Sequence, residues 1–94
     1  MAMNQAIPGG YTPIKDINDP NVVEIARFAV TEHNKRVRTK LHFKKVIRGE
    51  SQVVAGINYR LKLSASSGSS SRGYPYVAEV YDRPQQHFRN LTSF

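Results

Sequence analysis

The sequence predicts an α+β domain in which an antiparallel β-sheet of four to five strands wraps around a single α-helix. Two observations predict this fold. Residues 20–35 show the apolar period of an amphipathic helix, and later stretches, above all residues 53–63, alternate apolar and polar residues as half-buried strands do. Since 94 residues are too few to form two units that each bury a core, residues 1–94 are predicted to form a single domain.

The N-terminal segment reads as an arm followed by an edge strand. Residues 1–9 have no regular apolar period and lead into a Gly-Gly pair, Gly9 and Gly10, which is typical of a flexible arm. The stretch "GYTPIKDI", residues 10–17, predicts a short strand. Pro13 confines that strand to the edge of the sheet, because proline has no N–H to donate to a neighbouring strand.

The helix follows from a start signal and an apolar arc. In "NDPN", residues 18–21, Asp19 is a suitable N-cap and Pro20 suits the first helical position. On a helical wheel one arc contains Val22, Val23, Ile25, Ala26, Ala29, Val30 and His33. Ala26 and Ala29 lie near the centre of this arc, so the helix is expected to approach the sheet closely.

The strands after the helix are predicted from alternation and from turn residues. They are "LHFKKVIRG" (41–49), "VVAGINYRLKL" (53–63), "YPYVAEVYDR" (74–83) and "HFRNLTSF" (87–94). A turn is predicted at "RGES", residues 48–51, and a flexible hairpin connection at the Ser/Gly-rich residues 64–73. Pro84 must end the third of these strands.

One valine does not fit the alternation of the second strand. Val53, Ala55, Ile57, Tyr59, Leu61 and Leu63 would share the face that packs on the helix. Val54 falls on the opposite face, where its neighbours are Gly56, Asn58, Arg60 and Lys62. A strand that buries one face therefore presents Val54 to water beside a predicted turn.

Catalytic and metal-binding chemistry is not supported. The three histidines, His33, His42 and His87, are scattered and lack metal-ligand spacing. Glu24 and Glu32 lie about 80° apart on the helical wheel and do not form a close dyad. No phosphate-binding glycine loop or serine elbow is present, and the absence of cysteine excludes disulfides, thiolate zinc sites and a cysteine nucleophile. The chain is therefore predicted to be no enzyme and to bind no metal or cofactor.

The charge distribution leaves one alternative open. The formal net charge is +7, and seven basic residues without an acid lie between Lys35 and Arg48. Such a run attracts polyanions, so a basic module that binds single-stranded nucleic acid is the alternative function. Phe43 is the only aromatic residue in the run and shares the core phase of Leu41, which favours a solvated basic surface instead. A basic storage or defence protein without a specific target is a third hypothesis.

The compartment is not determined by the sequence. No apolar run approaches the about 20 residues that span a bilayer, and the first ten residues lack the pattern of a signal peptide. A leader could have been removed before Met1, and secretion is preferred to a cytoplasmic location. Asn90 begins an "NLT" glycosylation sequon, but it falls in a predicted strand.

Three segments are candidates for binding by shape: the arm at Gly9 and Gly10, "QVVAG" at residues 52–56, and "RPQQH" at residues 83–87. In an antiparallel meander the connection after the first long strand and the connection two strands later lie at the same end of the sheet. The first edge strand can begin there too. The three segments would then form one continuous edge, with Val53 and Val54 at the tip of a wedge that enters a partner's groove.

These residues resemble the plant cystatins, protein inhibitors of papain-like cysteine proteases. "QVVAG" at residues 52–56 matches the first-loop signature of the cystatins letter for letter. "IARFAVTEHN" at residues 25–34 is similar to the helix signature of the plant branch, and Gly9-Gly10 matches the N-terminal glycines. One departure stands in the second loop, where plant cystatins usually carry Pro-Trp and this chain has Pro84 followed by Gln85.

The resemblance implies a cystatin-like fold and a reversible, competitive, cofactor-free inhibitor whose partners are papain-like cysteine proteases, with neither nucleic acid nor membrane as partner. The implied protease-binding residues are Pro8, Gly9, Gly10, Gln52, Val53, Val54, Ala55, Gly56, Pro84 and Gln85. Cystatins also exchange segments to form domain-swapped dimers by opening the first loop. The expected species is a monomer with access to such a dimer, and Val54, expected to be strained, would be its hinge.

Overall fold

A computed structural model of the chain describes residues 10–94. Residues 1–9, which include Pro8, Gly9 and most of the predicted arm, lie outside the described residues. The elements of the described part are β1 (Thr12–Pro13), α1 (Pro20–Val37), β2 (Leu41–Val54), β3 (Gly56–Ser67), β4 (Tyr74–Arg83), a 3₁₀ turn (Pro84–Gln86) and β5 (Phe88–Ser93). All neighbouring strands are antiparallel, in the order β1-β2-β3-β4-β5. The predicted α+β architecture is confirmed, with five strands.

The start and end of α1 are determined by side chains close in sequence. The Asp19 carboxylate accepts a hydrogen bond from the backbone N–H of Asn21 at 2.8 Å, and Pro20 occupies the first turn, as the start signal predicts. At the other end the Asn34 side chain accepts a hydrogen bond from the Leu41 N–H and donates one to the Leu41 carbonyl, both at 2.9 Å. This pair of bonds ties the last turn of α1 to the first residue of β2.

The core lies between α1 and the concave face of the sheet. The buried helix residues are Val22, Ile25, Ala26, Ala29 and Val30, and Ala26 and Ala29 have no exposed surface. The sheet contributes Leu41, Val46, Tyr59, Leu61, Leu63, Ala65, Ala78, Val80 and Leu91. His33, at the margin of the predicted arc, is half-buried and stacks on Phe94 with ring centroids 4.0 Å apart. Two alanines at the helix–sheet contact permit the close approach that the sequence predicts.

The predicted turn at residues 48–51 is wrong. These residues lie inside β2, where Glu50 pairs with Arg60 and Ser51 with Tyr59, and the chain reverses instead around Ala55, between the paired Val54 and Gly56. Gly49, read from the sequence as a turn residue, serves close packing. A Cβ atom there would lie 2.5 Å from Leu61 Cδ2. The glycine therefore marks a tight contact in the sheet rather than a break in the strand.

Two other boundaries differ from the sequence prediction. β1 is only two residues long, although Pro13 lies at the sheet edge as predicted, paired with Glu50. β3 continues to Ser67, so the hairpin connection covers residues 68–73 rather than 64–73. Ser64 and Ala65 belong to the ladder because they pair with Pro75 and Tyr74 of β4. None of the helices among residues 10–94 is long and apolar enough to cross a membrane.

Candidate functional site

Three segments of the chain meet at one end of the sheet. The first loop, residues 52–56, joins β2 to β3, and the second loop, residues 83–87, joins β4 to β5. In an antiparallel meander these two connections lie at the same end. Thr12 of β1 pairs with Ser51 near the end of β2, so β1 also begins there and Gly10 lies beside the first loop. The fold thus brings together all the predicted site residues that the structure describes.

The tip of the first loop is apolar and exposed. Val53 is 73% exposed and Val54 46% exposed, and Ala55 is exposed between β2 and β3. The alternation placed Val54 correctly on the open side. It places Val53 on the helix-facing side, and the pairing of Val53 with Ile57, two residues before the buried Tyr59, agrees with that face. Val53 is nevertheless exposed, because it lies at the end of β2 beside the reversal of the chain. The reversal at Ala55 leaves both valines exposed at the end of the sheet.

The first loop is held from β4 by Tyr81. The Tyr81 hydroxyl donates a hydrogen bond to the Ala55 carbonyl at 2.9 Å, across 26 residues of sequence. A Cβ atom on Gly56 would lie 2.7 Å from the Tyr81 hydroxyl oxygen and 2.9 Å from the Asp82 carbonyl oxygen. Gly56 therefore allows β4 to approach the loop, and Tyr81 fixes the position of the turn.

The backbone strain expected at Val54 lies at Gly56. Gly56 has φ 155°, which side chains of L residues rarely adopt, while the residues other than glycine with positive φ in the described chain are Arg38 and His87. The expectation for Val54 is wrong because the one-residue reversal places the unusual dihedral after Ala55. Gln52 lies below the tip, where its side-chain oxygen accepts a 2.8 Å hydrogen bond from the Asn58 amide and braces the two strands.

The second loop is a compact turn on a charged base. Pro84–Gln86 form one 3₁₀ turn, closed by a 3.0 Å hydrogen bond from the His87 N–H to the Pro84 carbonyl, and Pro84 and Gln85 are exposed. Directly beneath it, Arg89 donates to the buried Asp82 carboxylate at 2.9 Å and to Glu24 at 3.2 Å. The hydrogen bond to Asp82, followed by the one to Glu24, raises the pKa of Arg89. This cluster anchors the loop to α1.

Two aromatic residues of the site were missed from the sequence. Phe88, the first residue of β5, is 49% exposed, and its ring packs on the Tyr81 ring with centroids 6.1 Å apart. The two loops are therefore connected through Tyr81, which touches Ala55 on one side and Phe88 on the other. The sequence feature that could have identified Tyr81 and Phe88 is their position close to the second loop. Pairing of Tyr81 with Asn58 depends on strand register, which the sequence does not display.

The site has a charged base and an apolar rim. Burial, followed by the nearby Asp82 carboxylate, raises the pKa of Tyr59 beneath the loops, so this phenol remains neutral at ordinary pH. Among residues 10–94, no group of three or more histidine, cysteine or acidic side chains could hold a metal ion. The edge exposes the apolar surface of Val53, Val54 and Phe88 on a frame braced by hydrogen bonds.

Comparison with known proteins identifies the family. The chain is 52% identical to cysteine proteinase inhibitor 5 of Arabidopsis thaliana over 86 residues, covering 92% of this chain and 70% of that protein. It is 49% identical to cysteine proteinase inhibitor 1 of Actinidia chinensis var. chinensis over 86 residues, covering 92% and 72%. The chain belongs to the phytocystatin family. This family consists of protease inhibitors, not enzymes, so the family assignment predicted from the sequence is confirmed. A family model described as an aspartic acid proteinase inhibitor also matches residues 14–94 of this phytocystatin.

Solved structures show the same fold. The salivary cystatin of the soft tick Ornithodoros moubata superposes with a TM-score of 0.78 at 28% identity, covering 93% of this chain and 95% of that one. Human cystatin F, described as dimeric, gives a TM-score of 0.72 at 18% identity, covering 98% and 90%. The phytocystatin chain therefore has the cystatin fold.

Proposed function

We propose that this chain is a reversible, competitive inhibitor of papain-like cysteine proteases, which inserts the N-terminal arm and the two loops into the active-site cleft. The observation that carries the proposal is the exposure of Val53 and Val54 on a turn held in place by Tyr81. By analogy with the family, Pro8, Gly9 and Gly10 would follow the non-primed subsites. Val53, Val54, Ala55 and Gly56 would lie near the catalytic cysteine, with Gln52 behind them and Pro84-Gln85 on the primed side.

Rigidity is what makes such an edge an efficient wedge. Apolar side chains gain free energy on leaving water, about 25 cal/mol per Å² of buried apolar area. A flexible loop loses part of this gain when it becomes ordered on binding. Here the Tyr81 hydrogen bond, the Gln52–Asn58 hydrogen bond and the base around Arg89 order both loops before the partner arrives. No covalent step and no cofactor are needed to occlude the cleft.

Titration of papain with folded monomer tests the proposal. Inhibition is expected to be stoichiometric, competitive with a peptide substrate and reversed on dilution. A second chain that lacks residues 1–10 should dissociate faster with little change in association rate, because an arm adds contacts after docking. Papain activity that is undiminished at micromolar folded monomer would refute the inhibitor, whereas an unchanged off-rate would refute only the role of the arm.

Inhibition of an aspartic proteinase is a second candidate function, favoured by the family model that matches residues 14–94. The matched residues do not include the arm, and we expect the arm to contribute nothing to this activity. The full chain and the chain lacking residues 1–10 should then inhibit pepsin equally, while they differ on papain. Pepsin activity that is unaffected by both chains removes this candidate and leaves the first untouched.

Domain swapping is proposed to abolish inhibition. Only Ala55 separates β2 from β3, so opening the first loop would merge them into one long strand. Val53 and Val54 would then lie along a straight strand instead of at a tip. Heating followed by size-exclusion chromatography would yield the dimer, which we expect to inhibit papain at least about 100-fold more weakly than monomer, a difference of about 2.7 kcal/mol in binding. A loop-opened dimer that inhibits like monomer would contradict the placement of the wedge.

Tyr81→Phe tests the support of the first loop. The change removes the hydroxyl that bonds to Ala55 and keeps the ring on Phe88. A neutral hydrogen bond contributes about 0.5–1.5 kcal/mol, so the inhibition constant for papain should rise about 3- to 10-fold. The dimer fraction after heating should rise as well. Tyr74→Phe, at the far end of β4, is the control and should change neither quantity; equal behaviour of the two variants would remove Tyr81 from the site.

Gln85→Trp tests the second loop. An indole in place of the exposed amide would bury about 80 Å² more apolar area in the complex. At about 25 cal/mol per Å², this area corresponds to about 2 kcal/mol of binding free energy. Association realises only part of that, so tighter binding of about tenfold is expected. Gln86→Trp, at the neighbouring position, is the control. Gln85→Ala should weaken inhibition of papain only slightly. If Gln85→Ala weakens inhibition sharply while Gln85→Trp has no effect, Gln85 makes a specific polar contact instead.

A further inference from the structure

The outer face of the sheet, turned away from α1, carries a cluster of cations that the inhibitor function does not use. We define the basic face as Lys45, Arg48 and Lys62, which lie on adjacent rows of β2 and β3. Their strand partners show in which direction the three side chains point. Lys45 pairs with Ser64 and Arg48 with Lys62, and these β3 positions alternate with the buried Leu61 and Leu63. The three cations therefore point into solvent together.

Two irregularities of β2 create this arrangement. The register shifts between Phe43 and Lys45 and again between Val46 and Arg48. Phe43 and Val46 pair with the buried Ala65 and Leu63, so both face the helix. In an unbroken strand the residue two positions further would face the helix as well. Each shift inserts one residue and turns the following cation outward, which is a known use of β-bulges.

The basic face costs stability rather than adding to it. Arg48 and Lys62 are direct partners across antiparallel strands, and like charges in this position repel each other. Within residues 10–94, no ion pair joins Lys45, Arg48 or Lys62 to an acidic side chain. The adjoining row is different, since Arg60 there is paired with both Glu50 and Glu79. The repulsion between Arg48 and Lys62 is local, and an anion bound between the two cations would relieve it.

A shallow groove of about 270 Å³ lies on this face, lined by Arg48, Gly49, Glu50, Arg60, Lys62 and Val77. Its single carboxylate, Glu50, is engaged by Arg60, which leaves Arg48 and Lys62 free to meet a negative group. Val77, the β4 partner of Lys62, is 51% exposed and gives the groove an aliphatic side. The groove thus combines two available cations with a small apolar surface.

We propose that the basic face binds an acidic polysaccharide, a sugar polymer that carries carboxylate or sulfate groups. Lys62 lies opposite Arg48, about 5 Å away between Cβ atoms, and diagonal to Lys45, about 7–8 Å away, which suits acidic groups repeated along an extended chain. The aliphatic side formed by Val77 suits the C–H face of a sugar ring. Bases of a single-stranded nucleic acid stack on aromatic rings, and the lining of this groove contains none. A membrane surface would require several large apolar side chains, and Val77 is the only one that the lining of this groove contains.

The surface is independent of the protease-binding edge. Arg48 lies five residues before Val53 on β2, about 17 Å along the strand. A protease at the first loop would leave the basic face open, so the chain could bind a polysaccharide and a protease at the same time. The proposal does not depend on the proposed inhibition, because polysaccharide binding is measured without any protease.

Binding of the full chain to heparin, a sulfated polysaccharide, and to alginate, a carboxylated one, tests the proposal by calorimetry. The double variant Arg48→Gln with Lys62→Gln should weaken binding at least about tenfold, and wild-type binding should fall steeply between about 50 and 200 mM salt. The matched control is Lys35→Gln with Lys40→Gln, which removes the same charge at exposed positions near the end of α1. It should weaken binding less than about threefold.

Thermal unfolding of the same variants separates recognition from misfolding. The Arg48/Lys62 double variant should unfold at the wild-type temperature or higher, because it relieves the like-charge pair. An equal loss of polysaccharide affinity in the Arg48/Lys62 double variant and in the control would overturn the proposal, since binding would then follow net charge alone. Tighter binding to a single-stranded oligonucleotide, or to vesicles with anionic headgroups, than to either polysaccharide would overturn the choice of partner.

Discussion

Replacement of Gly56 by alanine is expected to weaken inhibition of papain about 100-fold while the domain stays folded. The new Cβ would lie 2.7 Å from the Tyr81 hydroxyl oxygen and 2.9 Å from the Asp82 carbonyl oxygen, and φ 155° is unfavourable for any side chain. Backbone strain of this kind costs roughly 1–3 kcal/mol, and the collision adds to it. The loop can escape only by moving away from β4, which breaks the Tyr81–Ala55 hydrogen bond and displaces Val53 and Val54.

The matched control for this variant is Gly68→Ala. Gly68 also has positive φ, 56°, but it lies in the connection at the opposite end of the sheet, and a Cβ there meets nothing within 4 Å. That variant should lose about 1 kcal/mol of stability and retain full inhibition. Inhibition constants and melting temperatures of both variants make the comparison. A Gly56→Ala protein that is folded and inhibits like wild type would show that the first loop does not contact the protease.

Arg89→Met is expected to cause the largest loss of stability. Asp82 is only 6% exposed, and Arg89 is the cation paired with its carboxylate. Breaking a buried pair by removing one partner costs about 3–5 kcal/mol, because the remaining charge is left without compensation. Since Arg89 is itself partly exposed, we expect about 3 kcal/mol, which lowers the melting temperature of a domain of this size by roughly 12–24 °C.

A double variant distinguishes this mechanism from simple loss of packing. Asp82→Val combined with Arg89→Met removes both charges, and replacing a buried pair by apolar side chains is often nearly neutral. The double variant should therefore recover most of the lost stability. The recovery is measured as the coupling energy of a double-mutant cycle. Arg72→Met, in the exposed connection before β4, is the surface control and should change stability by less than about 0.5 kcal/mol. A double variant no more stable than Arg89→Met would contradict this account of the cluster.

Much of the fold could be predicted because its signals are local. The helix start at Asp19 and Pro20 depends on neighbours within three residues, and the alternation of Tyr59, Leu61 and Leu63 reports directly which face is buried. The Gly49 region was misread because a glycine at a close contact and a glycine in a turn look alike in sequence. Only the packing of the Leu61 side chain on Gly49 distinguishes the two.

The residues of the candidate site also divide into those marked by local sequence signals and those placed by contacts between distant strands. The sequence alone identified the two loops and the exposure of Val54, because a short motif and a proline mark them. It did not show that the chain reverses at Ala55 rather than at residues 48–51, nor reveal Tyr81 and Phe88 as the link between the loops.

What the sequence determined by itself is the fold class, the family and the positions of the two loops, all carried by residues close together along the chain. The tertiary structure decided the register. Register places Tyr81 opposite Asn58, within reach of Ala55, and turns Lys45 and Arg48 outward through two shifts in β2. Pairing between distant strands depends on packing of the whole sheet against α1, and a shift by one residue exchanges every side chain between core and solvent.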